Sequence, residues 1–226
     1  MRKAAVPETK NQITTRTPVK KVAITGGLSS GKSSVCLFFK ELGAHVVSAD
    51  EIVHQLLSVK RDLGQQVIAL LGEDIVVNGE IDRTMIAKKV FRNRALLRSL
   101  EHLIHPAVLS EIEKEYQEIN NQGKSLLFVA EIPLLFEIDQ EKKFDAIIAV
   151  WADQKRCQER FMAATGLGAD EYDRRMANQM PPDEKARRAD FVIKNTGSKE
   201  LMQKAAANLF MQLTALNSDT INGSNC

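Results

Sequence analysis

A short segment near the beginning of the chain has the residue types and spacing that bind a nucleotide phosphate. Residues 26–33 read GGLSSGKS, which completes the pattern G-x-x-x-x-G-K-[ST]. In such a loop the backbone N–H groups point at phosphate oxygens, Lys32 can reach the β- and γ-phosphates, and the Ser33 hydroxyl can ligate Mg²⁺. An apolar β-prone stretch (22–25) precedes the loop and a helix-compatible stretch (34–40) follows it, so a plain glycine turn at a strand end is the weaker interpretation. The residues predicted to bind the nucleotide here are Gly27, Leu28, Ser29, Ser30, Gly31, Lys32, Ser33 and Ser34.

Asp50 is the second position with informative chemistry. It follows the apolar segment 45–48, which reads as a short strand. In a doubly wound sheet, ligands bind beyond the carboxyl ends of the strands, so Asp50 is expected to face the phosphate loop. A carboxylate there can orient an attacking hydroxyl or accept its proton, and can help to hold Mg²⁺ through water. The alternative is an N-cap for a helix beginning at Glu51, and the two roles can coexist.

A group of arginines in and beside residues 152–187 could stabilise the charge that spreads over a transferring phosphoryl group. Most charges on a helical face are simply solvated, so each arginine alone is a weak candidate. The candidates are Arg156, Arg160, Arg174, Arg175, Arg187 and Arg188.

Three further positions each allow a functional and a structural interpretation. Glu131 ends an apolar strand, where a carboxylate often organises Mg²⁺, although it could also face solvent. His105, before Pro106, could present an imidazole to a substrate phosphate, or the pair could mark a helix break. Residues 194–197 follow a late strand and could contact a purine base, through Asn195 and Gly197, or could form a turn.

The composition excludes several classes of protein. The 31 basic and 29 acidic residues give a net charge of +2 over 226 residues, which argues against a general nucleic-acid binder. We expect no membrane association, because no apolar run approaches the length of a membrane-spanning helix and the first residues lack the apolar middle of a signal peptide. Cys36, Cys157 and Cys226 are odd in number and widely spaced, so neither a disulfide framework nor a zinc site is predicted, and a cytoplasmic location fits best.

Strands and helices alternate along most of the chain, which predicts an α/β fold. The five predicted strands (21–25, 45–48, 125–130, 146–151 and 191–193) are largely apolar, as in a doubly wound parallel sheet buried on both faces. Two stretches are too long for simple crossovers and are expected to form a helical substrate-binding insertion and a helical lid. The predicted organisation is a kinase-like core (19–50, 124–151 and 188–216), the insertion (51–123), the lid (152–187) and polar, disordered ends (1–18 and 217–226).

Taken together, these residues resemble the dephospho-CoA kinases over about residues 20–213. The phosphate loop alone would indicate only the P-loop nucleotide-kinase superfamily, whereas the paired His-Pro and Pro-Leu-Leu-x-Glu segments are specific. The segments that carry the resemblance are Thr25-Gly26-Gly27 with its loop, Ser48-Ala49-Asp50, His105-Pro106, Pro133-Leu134-Leu135-Phe136-Glu137, Ala189-Asp190-Phe191-Val192-Ile193 and Asn195-Thr196-Gly197.

The resemblance implies transfer of the ATP γ-phosphate to the ribose 3′-hydroxyl of dephospho-CoA, with Mg²⁺, and a CoA-binding role for the insertion. It implies that Asp50, Lys32 and the lid arginine Arg160 are catalytic, and that Ser33 ligates the metal. It places Asp50, His105, Pro133, Leu134 and Glu137 on the acceptor side. Two positions depart from the usual pattern: Ser48 stands where the family has a first aspartate, and Ser29 stands where the loop often has glycine.

The sequence leaves two alternative functions open. A related kinase could act on a nucleoside monophosphate or another small metabolite. A GTP-dependent switch is disfavoured, because residues 194–197 lack the Asn-Lys-x-Asp order that reads guanine. ATP and dephospho-CoA are the expected partners, in a monomer or weak homo-oligomer.

Overall fold

The computed structural model describes residues 18–91 and 93–215, and its centre is a parallel sheet of five strands. The strands lie in the order β2-β5-β1-β6-β7, and every neighbouring pair is parallel. Their bounds are β1 (Lys20–Gly26), β2 (His45–Ser48), β5 (Leu127–Glu131), β6 (Ala146–Trp151) and β7 (Phe191–Lys194). The predicted doubly wound sheet is therefore confirmed.

Helices cover both faces of the sheet, which explains why its strands are apolar throughout. On one face, α1 (Lys32–Glu41) and α9 (Lys199–Ala215) pack Phe39 and Phe210 against each other, with ring centroids 5.7 Å apart. On the other face, Phe128 of β5 packs with Val108 and Ile112 of the long helix α5 (Arg94–Gln122). Helix α1 directly follows the phosphate loop, as the sequence predicts.

The insertion after β2 forms a helical unit with its own apolar cluster. Leu63, Val67, Ile75 and Leu100 are buried within it. Asp82 accepts hydrogen bonds from the backbone N–H groups of Thr84 (2.7 Å) and Met85 (3.3 Å), so it caps the helix that follows it. The elements are α2 (Ala49–Leu56), α3 (Asp62–Leu71), a 3₁₀ turn (Glu73–Ile75), the hairpin β3 (Val76–Val77) and β4 (Glu80–Ile81), α4 (Arg83–Phe91) and α5.

The predicted helix break at His105-Pro106 is wrong, because α5 continues through Pro106. Proline removes one N–H donor and disfavours helical backbone at the preceding residue. Those local costs are outweighed by burial, since Leu100 lies on the insertion's cluster before the proline and Val108 lies on the sheet's cluster after it. One rigid helix therefore joins the two clusters.

The segment between β6 and β7 is helical, as expected. Its helices are α6 (Gln154–Thr165), α7 (Ala169–Met176) and α8 (Pro182–Arg188). Cys157, Phe161 and Tyr172 form a small buried cluster with Ala152, against which Leu28 of the phosphate loop packs. The lid region is thereby in contact with the loop it is proposed to serve.

The predicted polar ends lie outside the described residues, apart from Pro18. Within 18–91 and 93–215, none of the helices has the length and apolar character needed to span a bilayer.

Cys36 and Cys157 are buried free thiols, and burial raises the pKa of both.

Candidate active site

The phosphate loop lies at the carboxyl end of β1 and has the backbone that its sequence requires. Gly31 is the N-cap of α1 with φ of 102°, and a Cβ there would lie 2.4 Å from Asn195 Nδ2. Ser29 has φ of 58°, in the left-handed region that glycine adopts at no steric cost. That angle explains why glycine is frequent at this position, and Ser29 adopts it here despite having a side chain.

The Lys32 amine is folded against its own loop. Its Nζ donates hydrogen bonds to the carbonyl oxygens of Gly26 (3.3 Å) and Gly27 (2.9 Å). Burial lowers the pKa of Lys32, the Glu131 and Asp50 carboxylates oppose that shift, and the Lys185 ammonium adds to it. Lys32 therefore lies within the electrostatic reach of two carboxylates, Glu131 at the end of β5 and Asp50 after β2.

Ser33 and Glu131 form the part of the site suited to a metal ion. Ser33 Oγ donates a 3.0 Å hydrogen bond to Glu131 Oε1, and Glu131 is buried at the end of β5, in register with Ile24 and Ser48. Mg²⁺ in nucleotide sites takes one or two protein oxygens together with substrate phosphates. A hydroxyl and a carboxylate in contact beside the phosphate loop fit that requirement.

Asp50 lies in the first turn of α2 and does not cap it. The helix begins at Ala49 with Ser48 as its N-cap residue, so the predicted cap of a helix beginning at Glu51 is wrong. The Asp50 side chain is exposed and makes no hydrogen bond or ion pair within the described residues. A carboxylate that the fold does not use is available to a ligand.

An apolar cavity of about 130 Å³ brings together most of the predicted acceptor residues. It is lined by Ala49, Asp50, Val53, Ile104, His105, Val108, Leu109, Ile112, Ile132, Pro133, Leu134 and Ile138. Asp50 and His105 supply its titratable groups. Burial lowers the pKa of His105, the Glu101 carboxylate opposes that shift, and His102 adds to it, so the site favours the neutral imidazole. Asp50, His105, Pro133 and Leu134 therefore share one cavity at the carboxyl end of the sheet.

Glu137 is not among the residues that line this cavity, and its contact with an acceptor stays a prediction. Its Oε1 accepts a 2.8 Å hydrogen bond from the Met180 N–H and lies 2.7 Å from Lys185 Nζ. Sequence reasoning missed Lys185, which is fully buried, because its charged neighbours in α8 indicate a solvated face. No motif marks it.

Arg160 and Asn195 connect the lid region to the phosphate loop. Arg160 Nη2 lies 3.3 Å from Asn195 Oδ1, and Asn195 Nδ2 donates to the Ser30 carbonyl at 2.8 Å. Within the described chain, the buried Nη1 of Arg160 has no hydrogen-bond partner. Gly197 lies beyond β7, and its contact with a nucleotide stays a prediction.

Most of the other candidate arginines are engaged elsewhere. Arg174 and Arg175 pair with Glu171, Arg188 pairs with Glu141 at 2.6 Å, and Arg156 donates to the Thr196 carbonyl. Arg160 is thus the member of the group that combines contact with the loop region and a buried, unpartnered donor.

Comparison with known proteins gives a consistent result. A family model described as dephospho-CoA kinase matches residues 20–200. A dephospho-CoA kinase from Protochlamydia amoebophila is 48% identical over 196 residues, covering 86% of this chain and 97% of that protein. One from Chlamydia pneumoniae is 48% identical over 185 residues, covering 81% and 92%.

Solved structures show the same fold. The crystal structure of TT1252 from Thermus thermophilus has a TM-score of 0.74 and 31% identity, covering 88% of this chain and 99% of that one. A dephospho-CoA kinase from Campylobacter jejuni has a TM-score of 0.66 and 25% identity, covering 87% and 98%.

Proposed function

The chain belongs to the dephospho-CoA kinase family, and we propose that it phosphorylates the ribose 3′-hydroxyl of dephospho-CoA with ATP, giving CoA and ADP. One observation supports this assignment beyond family membership. The cavity that holds Asp50 and His105 lies beside the phosphate loop, close enough for the Asp50 charge to act on the Lys32 amine. A donor site and an acceptor site therefore adjoin.

On the donor side, the loop amides and the Lys32 ammonium bind the phosphates of ATP. Ser33 and Glu131 are the residues that would hold Mg²⁺, Ser33 as a ligand and Glu131 by fixing the hydroxyl at 3.0 Å. When bound, Mg²⁺ neutralises charge on the β- and γ-phosphates. The unpartnered Arg160 Nη1 is the donor that we assign to the transferring phosphoryl group.

On the acceptor side, the 3′-hydroxyl oxygen attacks the γ-phosphorus while the bond to the β,γ-bridging oxygen breaks. ADP leaves, and the hydroxyl proton passes to the Asp50 carboxylate. The apolar walls of the cavity around Leu134 exclude water and hold the acceptor. In this proposal, residues 51–123 bind dephospho-CoA and residues 152–187 close over the nucleotide.

Product analysis tests the assignment. Purified protein is incubated with Mg²⁺-ATP and either dephospho-CoA or a nucleoside monophosphate, and the product is examined by ³¹P NMR. We expect a new ribose 3′-phosphomonoester in the reaction with dephospho-CoA and no phosphorylated product in the reaction with the nucleoside monophosphate. Phosphorylation of the nucleoside monophosphate instead, or of a different hydroxyl, would contradict the proposal.

We also propose a location and an assembly state for the enzyme. We place the reaction in the cytoplasm, where a reducing environment maintains free thiols such as Cys36 and Cys157. We also expect a monomer or weak homo-oligomer, because each chain carries both the donor and the acceptor residues; analytical ultracentrifugation checks this.

A further inference from the structure

Lys185 is a charged side chain inside the protein. It lies in α8 with a side-chain exposure of 0%, and its Nζ donates to the Pro133 carbonyl at 2.6 Å and lies 2.7 Å from Glu137 Oε1. Burial lowers its pKa, while the hydrogen bond and charge of Glu137 oppose that shift. The ammonium is therefore held in place by one carbonyl and one carboxylate.

The Pro133 carbonyl receives a second donor from the other side of the site. Thr25 Oγ1, at the end of β1 just before the phosphate loop, donates to the same oxygen at 3.1 Å. Pro133 itself lines the acceptor cavity. We call Thr25, Pro133, Glu137 and Lys185 the Pro133 hub. At the Pro133 carbonyl oxygen, the strand that carries the donor loop is hydrogen-bonded to the segment that lines the acceptor cavity.

The hub also reaches the base of the lid region. Glu137 Oε1 accepts the Met180 N–H at 2.8 Å, and Met180 directly precedes the turn into α8. At the start of α8, Pro182 packs against the phosphate loop: a Cβ at Gly27 would lie 3.1 Å from Pro182 Cγ. Lys185 and Glu137 thus connect the C-terminal end of the lid region to the acceptor segment.

Stability alone does not require this arrangement. Removing two charges from water is costly, and a buried ion pair can often be replaced by uncharged residues of similar volume without loss of stability. The ion pair does, however, fix the position of the acceptor segment relative to α8, which an apolar contact would constrain less because it has no preferred direction. A phosphoryl transfer depends on that precision, because a misplacement of about 1 Å can cost on the order of a hundredfold in rate.

We propose that Lys185 is a positioning residue: acting through the Pro133 hub, it holds the acceptor-binding segment 133–138 in register with the phosphate loop so that the acceptor hydroxyl meets the γ-phosphate. This inference rests on the proposed function. Lys185 does not touch the reacting atoms in this account, and its effect falls on the acceptor rather than on ATP.

The test separates position from stability. Lys185→Met alone leaves the Glu137 charge buried and can fail to fold, so the informative variant is Glu137→Gln with Lys185→Met. In that double variant the amide oxygen still accepts the Met180 N–H, and no unpaired charge remains. Thr25→Val removes the other donor to the Pro133 carbonyl with no charge change. Kcat/KM for dephospho-CoA, the Kd of ATP and Tm are measured for each.

We expect the double variant to keep its Tm within a few degrees and its ATP Kd within about twofold, while kcat/KM for dephospho-CoA falls by at least about tenfold. Thr25→Val should shift kcat/KM in the same direction by a smaller factor. The matched control is Lys89→Met, since Lys89 also bridges a carbonyl (Leu71, 2.5 Å) and a carboxylate (Asp74, 2.5 Å), but within the insertion.

A double variant with wild-type kcat/KM, or one whose loss equals that of Lys89→Met, would overturn the proposal. A loss that appears only in the Kd of ATP would overturn it as well. The wild-type protein is assayed in parallel: its failure to use dephospho-CoA would refute the proposed function, whereas the ratio between variant and wild type reports on the hub.

Discussion

The donor and acceptor halves of the site are built in opposite ways. The donor half is polar and mainly local: the loop, Lys32 and Ser33 lie within one short segment, to which Glu131 and Arg160 are added from elsewhere. Lys32 and Ser33 are already hydrogen-bonded to protein oxygens. The acceptor half is an apolar cavity assembled from α2, α5 and the segment after β5, with Asp50 exposed in it. If the proposed assignment is right, phosphate binding depends mainly on one sequence motif, whereas acceptor choice depends on how distant segments pack together.

The largest effect is expected when the donor half loses its lysine. Lys32→Met should lower kcat by about 10²–10³-fold, as loss of a preorganised electrostatic donor typically does. Tm should change little, because burial already disfavours the charged form of Lys32. Steady-state ADP release and thermal unfolding measure the two quantities. Lys40→Met, exposed at the end of the same helix, is the control, and a Lys32→Met variant with normal kcat would contradict the assigned role.

The next effect concerns the metal. Glu131→Gln should raise the Mg²⁺ concentration that gives half-maximal activity by roughly 10–100-fold, since residues that orient a ligand have effects of that size. The Ser33 hydroxyl would lose its charged acceptor. Titration of activity with MgCl₂ at fixed ATP gives the shift. Glu111→Gln, in a surface pair with Lys114, should leave the titration unchanged, and equal curves for both variants would rule out the role of Glu131.

A smaller effect should appear when the acceptor half is altered without touching its polar groups. Leu134→Ala removes apolar contact from the cavity wall, so KM for dephospho-CoA should rise by roughly tenfold with kcat and the KM of ATP little changed. Initial rates at varied acceptor and at varied ATP separate these parameters. Leu201→Ala, exposed on α9, is the control. A matching rise in the KM of ATP would show that the two halves are not independent.

The smallest effect is a pH dependence. The folded state binds a proton at His105 less readily than the unfolded state does, because burial lowers its pKa below the ordinary value of 6.5. The stability contributed by this group is thus present above about pH 6.5 and is lost as the pH falls below it. The Tm of wild type should drop more than that of His105→Gln between about pH 7.5 and 5.5. Parallel Tm curves would contradict the lowered pKa.

The sequence predicted the donor half well because its signals are local. Motif spacing identified the loop, and uninterrupted apolar runs identified the parallel strands. Local rules failed where distant packing decides: α5 passes through Pro106 because the helix is buried at two clusters. The β3–β4 hairpin was not predicted, although its Asn78-Gly79 turn, with φ of 53° and 82°, carries a recognisable signal.

Side-chain partners across the fold were the least predictable. Asp50, His105, Pro133 and Leu134 were expected on the acceptor side through resemblance, and the structure gathers them in one cavity. Lys185 could not be identified, because its burial depends on a carbonyl and a carboxylate from a segment about 50 residues away. Such contacts exist only after the sheet has brought the segments together.

The proposed mechanism depends most on Asp50, which accepts the proton of the acceptor hydroxyl beside the bound triphosphate. The most direct test is ADP release by wild type and Asp50→Asn, with Mg²⁺-ATP, in the presence and absence of dephospho-CoA. We expect strong acceptor-dependent release by wild type and a fall in kcat of about 10²–10⁴-fold in Asp50→Asn. ATP affinity and Tm should be unchanged, since Asp50 caps no helix. Acceptor-dependent release that persists undiminished in Asp50→Asn would contradict the proposed mechanism.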